Sequence, residues 1–189
     1  MADRDIIAER GRSLEDDYFK KKDRELVEKI QRAAEAERAR GDLGRAAGLS
    51  DPALVQELHE LGFTPETISL LPLVPILQMA WAEGGITSAE RELIVKFARS
   101  RGIASGSAAD QQLTSWMKDR PTETVFARAG RLIRAMLDSG AAEGLSADDL
   151  VAYCETIASA SGGVFGIGRI SAEERKLLAG LAADLKGRS

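Results

Sequence analysis

Residues 85–94 read GITSAERELI, and this stretch decides the fold class. Glu90 follows Thr87 by three residues, a spacing at which each side chain accepts a hydrogen bond from the other residue's backbone N–H. Such a capping box opens a helix, and the apolar residues that follow it recur at helical spacing. We therefore predict a helix over residues 88–101.

Similar start signals recur along the chain. In each, a Ser or Thr precedes an acid by three residues; the pairs are Ser107–Asp110, Ser146–Asp149 and Ser171–Glu174. Thr64 is followed by Pro65, which suits the first position of a helix. Together with the apolar spacing, these signals predict helices over residues 51–61, 65–71, 73–83, 88–101, 108–119, 123–139, 147–160 and 172–186. No stretch alternates like a half-buried strand, so the predicted class is all-α.

The deciding stretch has a counterpart near the C-terminus. Residues 169–178 read RISAEERKLL, with a Ser–Glu cap in place of the Thr–Glu cap. The apolar positions that follow the two caps also match, because Phe97 and Leu181 lie at the same distance after their caps. We interpret the two stretches as a pseudo-repeat of helix–turn–helix units within one bundle. The alternative is that any capped helix shows this pattern.

Composition excludes several classes of protein. The chain has 189 residues, a net charge of −4 and a single cysteine, Cys154. The slight excess of acid argues against a general affinity for nucleic acid. One cysteine permits neither an internal disulfide nor a cysteine-rich zinc site. The longest apolar run, residues 70–77, is too short to span a bilayer, and residues 1–25 do not resemble a signal peptide. We therefore expect no membrane insertion and a cytoplasmic location.

The N-terminal segment differs in composition from the rest. Among residues 1–40 there are 11 basic and 11 acidic residues, with Tyr18, Phe19 and Leu26 on a helical stripe. A helix this polar buries little surface alone, which leaves exposure, partial disorder or pairing with another chain as alternatives. We predict a charged helical arm and glycine hinge over residues 1–48, followed by a helical domain over residues 49–189. The three stripe residues are predicted to bind a protein partner or a second copy.

Residues 162–168 read GGVFGIG, an unusual connection between two predicted helices. A phosphate-binding loop is preceded by a strand and ends in Gly-Lys-Ser/Thr, and neither feature is present here. A flexible connection and a functional loop remain as alternatives. Phe165 is predicted to be either a core anchor or a partner contact, because its apolar neighbours are unusual for a plain linker.

No arrangement of residues indicates catalysis, and we predict that the chain is not an enzyme. The only histidine, His59, falls beside an apolar helical stripe and is expected to face solvent, whereas Cys154 is expected to be a small buried apolar residue. Arginines recur every three residues at Arg128, Arg131 and Arg134. This row predicts a solvated face or intramolecular salt bridges, with a nucleic-acid contact as the alternative.

Acidic residues surround the Gly84-Gly85 turn. Glu83 ends one predicted helix, and Glu90 and Glu92 lie near the start of the next. Carboxylates gathered in this way supply the oxygen ligands that Ca²⁺ and Mg²⁺ prefer, so these three residues are the candidate metal ligands. The alternative for Glu90 is its structural role in the capping box. No other cofactor is predicted.

Residues 79–90 read MAWAEGGITSAE, which resembles the hallmark of the tellurite-resistance TerB-like helical family. In that pattern a helix ends in alanine, an acid and glycine, and an aliphatic residue leads into a capped helix with an inward acid. The resemblance covers residues 65–186, with Glu83 where the family usually has Asp. It implies a bundle of about seven helices, a link to stress or tellurite-resistance systems, and metal binding by acids.

Taken with the resemblance, the residues favour a noncatalytic protein-interaction module in a bacterial stress response. A divalent-metal sensor or buffer that uses the acidic turn is the alternative. A third and weaker hypothesis is an enzyme that uses residues 162–168 as a lid.

Overall fold

The computed structural model describes residues 2–142, 144–160 and 170–187, with side chains from residue 20 onward in these ranges. Every regular element in them is helical, which confirms the all-α class. The helices are α1 (Ala2–Ala47), α2 (Pro52–Glu60), a 3-10 helix (Ile68–Leu73), α3 (Val74–Ala80), α4 (Ser88–Ser100), α5 (Ala108–Lys118), α6 (Glu123–Asp138), α7 (Ala147–Ala160) and α8 (Ala172–Lys186). None of the described helices is both long enough and apolar enough to cross a membrane.

The prediction for residues 65–83 differs from the structure. The 3-10 helix Ile68–Leu73 stands in place of the α-helix predicted over 65–71, and α3 ends at Ala80 rather than at residue 83. Proline has no backbone N–H, so an α-helix running through Pro72 and Pro75 would lose hydrogen bonds. Pro72 instead lies inside the 3-10 helix, and Pro75 lies in the first turn of α3, where an N–H has no partner within the helix.

The chain divides into two compact units, Met1–Gly41 and Asp42–Ser189. Helix α1 continues through Gly41 and Gly44, so there is no break at the first two glycines of the predicted hinge. Leu43 and Ala47 are 1% and 0% exposed in the core of the second unit. Residues 42–48, predicted to belong to the arm, are therefore part of the bundle unit.

Helix α1 ends in a Schellman motif, with Gly48 directly after its last residue. The Gly48 N–H donates to the Arg45 carbonyl at 3.2 Å, and the Leu49 N–H donates to the Gly44 carbonyl at 2.9 Å. Gly48 has a φ of +64°, a left-handed conformation that favours glycine. The same pair of hydrogen bonds closes α2, α4 and α6, at Gly62, Gly102 and Gly140. In sequence, each of these ends is marked by a glycine followed by an apolar residue.

Helix α3 lies at the centre of the bundle unit. Six of its seven residues are buried, and it packs against the 3-10 helix, α4, α6, α7 and α8. Leu77 is 0% exposed, as are Leu70, Leu71, Leu73 and Val74. The apolar run over residues 70–77 therefore forms the middle of the core, which fixes the positions of α4, α7 and α8 around it.

Candidate functional site

Two capping boxes bring inward acids to the bundle, as predicted. At the start of α4, the Thr87 N–H donates to Glu90 Oε2 at 2.8 Å, and the Glu90 N–H donates to Thr87 Oγ1 at 3.3 Å. At the start of α8, the Ser171 N–H donates to Glu174 Oε2 at 2.7 Å, and the Glu174 N–H donates to Ser171 Oγ at 3.1 Å. Both glutamates are 2% exposed. Both carboxylates are therefore buried, although glutamate side chains in proteins are usually exposed.

The electrostatic environment of Glu90 sets it apart from the surface acids. Burial raises the pKa of this carboxyl, and the hydrogen bonds from Thr87 oppose the shift. The negative charges of Glu83 and Glu174 raise the pKa further. The charge of Glu174 thus reaches Glu90, although Glu174 belongs to the other capping box.

The predicted metal ligands are only partly brought together. Glu83 and Glu92 are exposed, whereas Glu90 is buried and its Oε2 accepts hydrogen bonds from the Thr87 N–H and hydroxyl, both at 2.8 Å. Among the residues that the structure describes, no three His, Cys, Asp or Glu side chains form a group that could hold a metal ion. The metal site at this turn stays a prediction.

Contacts from α5 hold the acidic turn in place. The Trp81 indole N–H donates to the Trp116 carbonyl at 3.0 Å, and the Arg91 guanidinium donates to the Met117 carbonyl at 3.2 Å. Gly84 has a φ of +87°, which lets the chain reverse between α3 and α4. The turn is therefore fixed on both sides by side chains that reach the end of α5.

Two arginines of the row on α6, Arg128 and Arg131, make intramolecular salt bridges, one of the two outcomes predicted for the row. Arg131 donates to Glu57 of α2, and the Arg128 Nε lies 3.7 Å from Glu57 Oε1. Arg128 also lies 3.6 Å from a carboxylate oxygen of Glu60. Glu57 is only 8% exposed, so these arginines compensate a carboxylate removed from water. Arg128 and Arg131 are therefore explained by the ion pairs that join α6 to α2.

Cys154 and His59 occupy the environments predicted for them. Cys154 is 0% exposed, and burial raises the pKa of its thiol to about 12. A thiol with so high a pKa contains very little thiolate at neutral pH, and the thiolate is the nucleophilic form. His59 is exposed on α2. Neither residue has the environment of an activated nucleophile or its base.

Among the described side chains, most of the large apolar ones that are exposed lie on the arm. Leu26, Val27 and Ile30 are 56%, 50% and 60% exposed, respectively. They lie one residue and one turn apart, so they form a single ridge on α1, which we call the arm ridge. Of the other predicted partner contacts, the side chains of Tyr18 and Phe19, and Phe165 as a whole, lie outside the described residues.

Ion pairs run along the side of the arm that faces away from this ridge. Glu25 lies 3.9 Å from Lys22, and Glu28 lies 3.3 Å from Arg32. Such exposed pairs stabilise a helix by roughly 0.3–0.5 kcal/mol each. They support the helix but do not cover the apolar ridge, which stays open to solvent.

No family model, curated protein or solved structure matches this chain.

Proposed function

We propose that this chain is a noncatalytic TerB-like protein-interaction module that acts in a bacterial stress or tellurite-resistance-type response. Its contact surface is the N-terminal arm, which binds a second copy of the chain. The observation that carries the proposal is the arm ridge, three large apolar side chains that are at least half exposed on the part of α1 that belongs to the first unit.

The two capping boxes support the TerB-like assignment and the pseudo-repeat. Glu90 and Glu174 take the same position in their helices and are buried to the same 2% exposure. Seven residues after each acid, Phe97 and Leu181 are 5% and 6% exposed. Matching caps followed by matching core positions are what a duplicated helix–turn–helix unit would retain.

Physical chemistry favours burial of the arm ridge against protein. Burying apolar surface is favourable by about 25 cal/mol per Å², and an isolated helix with this composition has no bundle of its own to pack against. The surrounding charges keep the arm soluble as a monomer and restrict which partners fit. Leu26 and Ile30 are spaced by four residues, the spacing of anchor residues in helix-in-groove recognition.

Replacing Ile30 with lysine is expected to abolish self-association. The variant places an ammonium in the middle of the ridge, so the apolar contact is lost while the helix-forming tendency is retained. In sedimentation velocity over a concentration series, the wild-type chain should shift from monomer to dimer, and Ile30→Lys should remain monomeric.

Glu35→Gln is the matched control for this variant. It raises the net charge by one unit, as Ile30→Lys does. Glu35 is exposed and lies on the opposite side of the helix from Leu26. This control should associate like the wild type. A wild-type chain that stays monomeric at every concentration would contradict the proposed contact. Loss of self-association in Glu35→Gln would contradict it as well.

The second candidate function is a divalent-metal sensor or buffer at the acidic turn. It is favoured by one feature, the negative charges of Glu83 and Glu174 that raise the pKa of Glu90, because a bound cation would relieve this repulsion. The hydrogen bonds that Glu90 accepts within its capping box oppose it, because a carboxylate already used in this way is a poorer ligand. Any binding is therefore weak, in the high-micromolar range or above.

Calorimetric titration of Ca²⁺, Mg²⁺ and Zn²⁺ into the wild type and Glu83→Gln measures this directly. We expect no tight binding to either protein, because too few free carboxylate oxygens converge. Glu155→Gln removes an exposed acid on α7 that is not among the candidate ligands, and it serves as the control. Tight binding that disappears in Glu83→Gln and persists in Glu155→Gln would establish the metal function and replace our first proposal.

A further inference from the structure

An apolar groove runs over the bundle unit between α4 and α7. Its most buried lining residues are Ile76, Phe97 and Ile157, which are 1%, 5% and 2% exposed and so belong to the core. Leu93 and Tyr153 complete its apolar lining. The Tyr153 ring packs against Phe97 with ring centroids 3.9 Å apart, although Tyr153 is 39% exposed. Because core packing holds these side chains, the groove is a preformed depression.

The volume of the groove suits a small apolar ligand. It measures about 310 Å³. A cavity of about 150 Å³ lined by Leu, Ile and Phe holds one benzene molecule, so this groove has room for roughly ten carbon atoms. A depression lined mainly by apolar side chains, with a few polar groups to orient the ligand, is the usual form of a small-molecule site.

Two of the polar groups in the groove already use their hydroxyl protons. The Ser100 hydroxyl donates to the Phe97 carbonyl at 2.8 Å, and the Thr156 hydroxyl donates to the Ala152 carbonyl at 2.8 Å. A hydroxyl has only one proton to donate, so neither of these groups has a donor left for a ligand. The head group of a ligand must therefore be recognised by other side chains.

Lys96 provides the free donors of the groove. It lines the groove, is exposed and forms no ion pair with any of the described residues. The Tyr153 hydroxyl likewise makes no hydrogen bond to a residue that the structure describes. The described lining contains no Asp or Glu, so the only full charge there is positive. One ammonium with three donors beside an apolar depression complements a ligand that has a hydrocarbon tail and a singly charged anionic head.

We propose that this groove binds a free, straight-chain aliphatic carboxylate of roughly eight to ten carbon atoms. The tail lies on Phe97 and Ile157, and the carboxylate lies at Lys96. Binding removes the tail from water, which is favourable, while the carboxylate keeps contact with both the ammonium and solvent. The site belongs to the bundle unit alone, so the proposal is independent of the arm contact.

Titration of carboxylates into the full-length protein tests the site by NMR, with the Ile and Leu methyl groups labelled. We expect decanoate to shift the methyl resonances of Ile76, Leu93 and Ile157. Affinity should rise about tenfold from hexanoate to octanoate and again from octanoate to decanoate, because each step removes two more methylenes from water. Octylamine has a matching tail with the opposite charge, and it should bind about tenfold more weakly than octanoate.

Three variants test the roles of the lining residues. Lys96→Gln should bind octanoate about fivefold more weakly than wild type and should no longer distinguish it from octylamine. Lys118→Gln removes the same charge from an exposed residue of α5 that does not line the groove, so it should keep the wild-type preference. Thr156→Phe places a ring in the groove from an exposed position on α7, and it should abolish binding of all three carboxylates.

Several results would overturn the proposal. If decanoate leaves the three methyl resonances unshifted, or shifts only methyl groups elsewhere, the groove is not the site. Equal binding of octanoate and octylamine to the wild type would refute the selection of a carboxylate. A Lys96→Gln protein with the wild-type preference would show that Lys96 does not recognise the head group. None of these results bears on the arm contact, which sedimentation of Ile30→Lys tests separately.

Discussion

Replacing Gly48 with alanine is expected to lower the free energy of unfolding by about 3 kcal/mol. Two effects add: a residue with a Cβ at a φ of +64° costs about 1–2 kcal/mol, and overpacking costs about 1–3 kcal/mol. A Cβ at residue 48 would lie 2.1 Å from the Ala141 Cβ, a distance at which the chain must move. Urea denaturation followed by circular dichroism measures the loss.

Gly62→Ala separates these two effects. Gly62 ends α2 in the same Schellman motif with a φ of +83°, but a Cβ there would have no atom within 4 Å. This variant should lose only the conformational part, about 1–2 kcal/mol. If the two variants lost the same free energy of unfolding, residue 48 would not pack closely on Ala141. Gly48 would then behave as part of the hinge that the sequence predicts.

The second large effect is expected for Leu77→Ala in the central helix. Leu77 is 0% exposed on α3, which touches four α-helices and the 3-10 helix. Removing its buried methyl groups costs about 2–5 kcal/mol, because apolar contacts are lost and the tightly packed neighbours cannot close the cavity fully. Thermal and urea unfolding of the bundle should both register this loss.

Leu26→Ala is the matched control, because it makes the same substitution at a residue that is 56% exposed. It should change the unfolding free energy of the monomer by less than about 0.5 kcal/mol. A loss comparable to that of Leu77→Ala would show that the arm packs into a core, and would contradict its role as an open contact surface.

Local sequence was sufficient for features that depend on neighbours along the chain. The capping boxes at Thr87 and Ser171 involve residues three positions apart, so the pattern of hydroxyl and acid predicts the hydrogen bonds directly. The same holds for the starts of most helices and for the buried Cys154, whose position follows from apolar spacing on α7. The exposed Leu26 also follows from the charge of its surroundings.

The acidic turn was predicted less completely. Spacing placed Glu83, Glu90 and Glu92 near one reversal of the chain, but it did not show that Glu90 is buried and already hydrogen-bonded. Nor did it show that the charge of Glu174, 84 residues further on, also reaches Glu90. Which acids approach one another depends on how α4 and α8 pack against α3.

What the sequence determined by itself is the all-α class and the start of most helices, because hydrogen bonds within one turn decide them. Tertiary structure alone decided which residues meet across the bundle. Glu57 pairs with Arg131 over 74 positions, and Leu43 is buried although it lies in a segment expected to be part of the arm. The contact between the Phe97 and Tyr153 rings also exists only through packing, since the two residues come from α4 and α7. Such contacts depend on the shapes of whole helices, and a local sequence pattern does not predict them.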